Sequence, residues 1–91
     1  MNNLEKYKKV FIDTFNIDNS KLENLEYNKI DEWDSIGHMT LVAAIEEQFK
    51  ITMETDDVID LSSFKRGKQI LYKNYKIEIW FYKIITTNEE K

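Results

Sequence analysis

Apolar residues at Leu4, Tyr7, Val10, Phe11 and Phe15 recur at helical spacing, with Lys6, Lys8, Lys9 and Asp13 mostly on the other side. The pattern predicts a first helix over about Leu4 to Phe15, capped by Asn2 or Asn3, whose stripe Ile12 widens into a core face. From Asn16 to Asp34 the periodicity lapses, and Ile17, Leu22, Leu25, Tyr27, Ile30 and Trp33 stand at irregular intervals among polar residues. This stretch reads as a long ordered loop with a short turn near Ser20 to Asn24, its apolar residues anchored across helix ends. A loop of this length inside a compact domain tends to carry function.

Helical periodicity returns at Asp34 or Ser35 and predicts a second helix to about Phe49. Ile36, Leu41, Val42, Ile45 and Phe49 are expected as its inner stripe, and Met39 and Ala43, four apart, as an outward apolar strip or the edge of the core. Ile51-Thr52-Met53 is extended in character, and Glu54-Thr55-Asp56-Asp57 supplies cap chemistry for a short third helix to about Ile59, closed by Leu61. Ser62 or Ser63 caps a fourth helix with Phe64, Gly67, Ile70, Leu71 and Tyr75 inward. Glycine inside a helix costs about 1 kcal/mol against alanine, which a close approach of a neighbouring element would explain at Gly67.

Residues 76–87 are dense in β-branched and aromatic side chains, which favours a strand, while Leu71, Tyr75, Ile79 and Tyr82 keep a helical spacing that would prolong the fourth helix. A lone apolar strand would present a sticky edge, so this segment is expected to pack on the domain or on a second copy. The resulting division is a four-helix domain over 1–75 and an apolar C-terminal extension over 76–91, with no internal repeat.

Composition narrows the chemistry. The 91 residues contain no cysteine and one histidine, His38, so no thiolate or His-pair metal site is available. No apolar run is long enough to span a bilayer, and the absence of cysteine and of a leader favours a cytoplasmic setting. The net charge of −4 is uneven: Asp18 to Asp60 holds twelve acids against three lysines, net −9, and the remainder is +5. An acidic middle argues against nucleic acid and for basic protein partners steered by its field.

The acid and hydroxyl of Asp34-Ser35 stand immediately ahead of the second helix. Both residue types are favoured N-caps, and a serine at a helix start can also be a point of attachment for an anionic group, which the free backbone N–H groups and the helix dipole would favour. Asp34-Ser35-Ile36, followed by Met39, Leu41, Val42, Ile45-Glu46-Glu47 and Phe49, resembles the attachment motif and second helix of acyl carrier proteins, with Ile36 where leucine is common. The loop containing Leu25 and Trp33, the short segment Asp56 to Leu61 and the helix Ser62 to Leu71 extend the resemblance over about Leu4 to Tyr75.

The resemblance implies an all-α four-helix bundle of the acyl-carrier type, with a long first loop and a short third helix. Ser35 would carry 4′-phosphopantetheine, placed there from coenzyme A by a magnesium-dependent phosphopantetheinyl transferase, and Asp34 would be the motif's acid, orienting the serine or contributing to the transferase complex. The arm's thiol would hold acyl or aminoacyl groups as thioesters, and the chain itself would catalyse nothing. Partners would be the transferase, a loading ligase or transferase, and downstream synthases. By the same resemblance, Ile36, Met39 and Ala43 would give them apolar contact, and Asp31, Glu32, Glu46, Glu47 and Asp57 would meet their basic residues.

Thr40, where fatty-acid carriers typically place an acid, Gly37-His38-Met39 and the long tail all point away from housekeeping fatty-acid synthesis. They point towards specialised pathways such as polyketide, aminoacyl or surface-polysaccharide assembly. His38, three residues after Ser35, could contact the phosphate of an arm, although a surface histidine is the more common outcome. A different class of function also fits the acidic middle and apolar tail: a small acidic helical adaptor that binds a basic protein without a prosthetic group. Ser35 and His38 have no positioned third member and the nearby carboxylates read as solvent-facing, so an enzyme is the least supported reading.

Overall fold

A computed structural model describes residues 1–79. Four helices follow one another, α1 (Asn3–Phe15), α2 (Ser35–Phe49), α3 (Thr55–Asp60) and α4 (Phe64–Tyr75), with one 3₁₀ turn at Asn19–Lys21 in the first loop. The helical class expected from periodicity is what forms, and strand-like pairing among the described residues is confined to an isolated bridge between Glu26 and Ser63.

The starts of α1, α2 and α4 are specified by side-chain caps, whereas α3 begins at Glu54 without one. Asn2 caps α1 in a reciprocal capping box with Glu5. Ser63 caps α4 by accepting from the Arg66 N–H at 2.9 Å. α1, α2 and α4 end on residues in left-handed backbone conformation, Asn16, Lys50 and Lys76. Lys76 stops α4, so of the two alternatives for the extension the continued helix does not form at residues 76–79. Residues 77–79 adopt no regular element, yet Ile79 is buried and Ile77 packs against the core, so this part of the extension lies on its own domain. The rest of the extension lies outside the described residues, and with it the alternative of a strand.

The core is aromatic. Phe11 of α1 meets Tyr7, Phe64 and Trp33 at ring-centroid distances of 4.9, 5.1 and 5.7 Å, and Phe15 lies 5.3 Å from Trp33. The three Phe11 pairs are edge-to-face and the Phe15–Trp33 pair is stacked, and such pairs add about 0.5–1.5 kcal/mol each beyond area burial. The long loop is ordered because it takes part in this core. Leu22, Leu25 and Trp33 are buried, and its backbone is bonded to the start of α4 through Tyr27 N–H to Ser62 O (2.9 Å) and Phe64 N–H to Leu25 O (3.0 Å).

On α2 the buried residues are Leu41, Val42 and Ile45, with Phe49 packed beside them. Ile36, expected on this inner stripe, is 77% exposed. It stands nine residues before Ile45, about two and a half turns at 3.6 residues per turn, and so points the opposite way. His38 takes the inner position, one turn before Leu41 and Val42.

Gly67 permits the approach inferred from its cost. A β-carbon there would collide with the Tyr7 hydroxyl and come within 2.7 Å of Leu61 Cδ1. That hydroxyl, in turn, donates to the Phe64 carbonyl at 2.6 Å, and burial, with Glu23 adding to it, pushes the phenol well above its ordinary pKa. Gly67→Ala would gain about 1 kcal/mol of helix propensity and lose about 1–3 kcal/mol to overpacking. A lower urea midpoint with an unchanged m-value is therefore expected; a higher midpoint would show that the contact is slack.

Candidate functional site

The start of α2 divides its chemistry between two neighbours. Asp34, in extended backbone conformation, is the N-cap, and its Oδ1 accepts the Gly37 N–H at 2.8 Å. Ser35 is the first helical residue, is exposed, and its hydroxyl has no hydrogen-bond partner among the described residues. The cap is thus the aspartate, which leaves the serine Oγ facing solvent. The backbone N–H groups of Ser35 and Ile36 also lack a backbone acceptor among the described residues, as the first turn of a helix requires.

What aims this turn is the loop before it. Trp33 is wholly buried, and its indole Nε1–H donates to His38 Nδ1 at 2.9 Å. Gly37 lies against the Glu32 carbonyl with no room for a β-carbon, so the loop crosses directly over the first turn of α2. Thr40 Oγ1 donates back to the Ile36 carbonyl at 3.2 Å, a local bond one turn apart.

His38 is half-buried and internally bonded, not a surface side chain. Its Nε2 lies 2.8 Å from the Val58 carbonyl on α3 while Nδ1 takes the indole proton. An indole is a donor only and a carbonyl an acceptor only, so both bonds require the neutral ring protonated at Nε2. That ring has no lone pair left to act as a base for Ser35, and no nitrogen turned towards a phosphate there.

The partner-facing residues expected from the resemblance fall into two groups. Ile36 (77% exposed), Met39 (57% exposed), Ala43 and Glu47 lie along one outer strip of α2, with Asp31, Glu32 and Asp34 exposed at its N-terminal end. Ile59 of α3, missed in the sequence pattern, is 74% exposed. The other two acids have internal duties. Glu46 Oε2 accepts the Met53 N–H at 2.8 Å, tying α2 to the segment before α3. Asp57 accepts from the Tyr75 hydroxyl (2.6 Å) and the Asn74 amide (2.8 Å), tying α3 to the end of α4. Burial and then this bond raise the Tyr75 phenol above its ordinary pKa.

Among the described residues no group of three or more histidine or carboxylate side chains is arranged to hold a metal ion, and no helix is long and apolar enough to cross a membrane. Asp34→Ala should cost about 1 kcal/mol through loss of the cap, whereas Asp34→Asn should retain most of that stability, because the amide oxygen still accepts from Gly37. Chemical denaturation of both variants checks this; equal losses would mean that the charge, rather than the hydrogen bond, matters.

Comparison with models of known protein families, with curated proteins and with solved structures returned no match, so the reading of this helix start rests on its own geometry and on the resemblance of its residues.

Proposed function

We propose that the chain is a carrier protein of the acyl-carrier type, a four-helix bundle in which Ser35 bears 4′-phosphopantetheine and presents acyl or aminoacyl thioesters to partner enzymes. The observation that carries the reading is the division of labour at α2: Asp34 performs the capping, so the exposed Ser35 hydroxyl is left without a structural task. The residues present fit the group. A phosphodiester on Oγ would sit beside the unpaired N–H groups of Ser35 and Ile36, at the positive end of a 15-residue helix. When bound, the arm would supply the thiol that a chain without cysteine lacks. The chain's own contribution is to hold Oγ in solvent, fix the approach of the loop through Trp33, and surround the serine with an apolar strip edged by carboxylates.

The outer strip of Ile36, Met39 and Ala43, with Asp31, Glu32 and Glu47 around it, suits basic partner enzymes that must dock quickly and leave quickly. The departures at Thr40 and Gly37-His38-Met39 favour a specialised biosynthetic pathway over fatty-acid synthesis.

Incubation with coenzyme A, magnesium and a promiscuous phosphopantetheinyl transferase should add one phosphopantetheinyl group by mass in the wild type and none in Ser35→Ala. No gain in the wild type, or an equal gain in the variant, would leave the acidic adaptor as the better reading.

Partner recognition is separable from folding at Glu47 but not at Glu46. Glu47→Lys should lower the transferase's kcat/KM about two- to fivefold at low salt, the worth of one exposed ion pair, with an unchanged thermal melt. Glu46→Lys removes the acceptor of the Met53 N–H and should lower the melting temperature as well. Rates with Glu47→Lys that match wild type at low salt would remove this acid from the docking surface.

A further inference from the structure

His38 is the chain's one histidine, and it joins three elements through two hydrogen bonds that are compatible in a single protonation state. On one side the indole of Trp33, nearly coplanar with the imidazole at an interplanar angle of 14°, gives its proton to Nδ1. On the other, Nε2–H is given to the Val58 carbonyl of α3. Tyr27 lies edge-on to both rings, at 5.4 Å from His38 and 6.2 Å from Trp33.

Protonation affects the two bonds differently. An imidazolium carries hydrogen on both nitrogens, so Nδ1–H would oppose the indole N–H and that bond is lost. Nε2–H remains a donor, now on a charged ring, and its bond to Val58 persists or shortens. We propose that His38 is a proton-operated latch: neutral, it ties the first loop at Trp33 to α3 at Val58; protonated, it keeps α3 and releases the loop. The sign follows directly. The tie to the loop is complete above the titration of the ring and lost below it.

Ionisable groups stand on each element around the ring. Tyr27, Asp31 and Glu32 lie on the loop, Asp34 one turn earlier at the start of α2, and Asp57 beside Val58 on α3. Asp34 is occupied by Gly37 N–H and Asp57 by Tyr75 and Asn74, and neither is hydrogen-bonded to the imidazole. The imidazole's two hydrogen bonds go to Trp33 and Val58, so none of these carboxylates competes for its ring hydrogens. The released residue directly precedes Asp34 and Ser35, so acidification would loosen the approach to the proposed attachment point. The latch itself does not depend on whether Ser35 carries a group.

Nuclear magnetic resonance on the full chain tests this, because a lone histidine makes the imidazole nitrogens unambiguous and Trp80→Phe separates the two indole signals. At pH 8 the ring should be unprotonated at Nδ1 and protonated at Nε2. Between pH 8 and 5 the Trp33 indole N–H should shift with the midpoint of His38, and its protection factor should fall about tenfold, the worth of one ordinary hydrogen bond. The amides of α3 should keep their protection. His38→Gln, which can accept and donate but does not titrate, should show no such indole transition. The opposite tautomer at pH 8, a Trp33 indole indifferent to the His38 titration, loss of α3 protection at the same midpoint, or the same acid transition in His38→Gln would each overturn the proposal. If His38→Gln fails to fold, the wild-type tautomer and the shared midpoint still decide.

Discussion

A buried indole must place its N–H somewhere, and much of this small domain follows from where Trp33 places it. The ring sits in the core against Phe11 and Phe15, where with Leu22 and Leu25 it joins the long loop to the rest of the domain. An unpaired N–H at that depth would cost about 1–3 kcal/mol, so an acceptor has to be brought to it. His38 is that acceptor, and its second nitrogen then reaches Val58. One requirement of the core thus positions the end of the loop, the first turns of α2 and the middle of α3.

α3 shows how far polar contacts can replace packing. It has six residues, none of them buried, and Val58 alone among them packs against the core. It is held instead by hydrogen bonds on both sides: Val58 to His38, Asp57 to Tyr75 and Asn74, and the preceding Glu54 N–H to the Tyr75 hydroxyl at 2.8 Å. Such bonds are worth about 0.5–1.5 kcal/mol each in net terms, without the buried apolar area that accompanies the aromatic contacts joining α1 to α4. α3 is therefore the element expected to open locally at the lowest free energy, while the aromatic core stays closed.

The parts of this architecture that were legible in the sequence depend on neighbouring residues. The α1 stripe, the Asn2 and Ser63 caps, the anchoring of the loop by Leu22, Leu25 and Trp33, and the close approach at Gly67 all leave local marks. Ile36 was misplaced because hydrophobicity was read without its angle: it belongs to the outer strip with Met39 and Ala43. His38 had a legible signal that composition obscured, since it lies one turn before Leu41 and Val42 on the inner face. A polar residue there reads as surface until the indole that needs it is seen. Glu46 and Asp57 looked like members of a solvated acidic field, because their partners are a backbone N–H seven residues on and side chains seventeen and eighteen residues away. At the start of α2 the two candidate cap residues stand side by side in the sequence, but which of them takes the capping role depends on one backbone dihedral and one hydrogen bond.

The chain contains two glycines, and both stand where a neighbour leaves no room for a side chain, Gly37 under the Glu32 carbonyl and Gly67 under Tyr7. Among the described residues neither has positive φ; the left-handed positions belong to Asn16, Asn28, Lys50 and Lys76. Steric clearance and backbone freedom, usually supplied by the same residue type, are here assigned to different ones. The strain of lysine in that conformation, about 1–2 kcal/mol at each site, is retained at the exposed ends of α2 and α4. The domain therefore carries a reserve of unrealised stability at the ends of α2 and α4, and could absorb destabilising change elsewhere, including near the proposed attachment point, if those ends were relaxed.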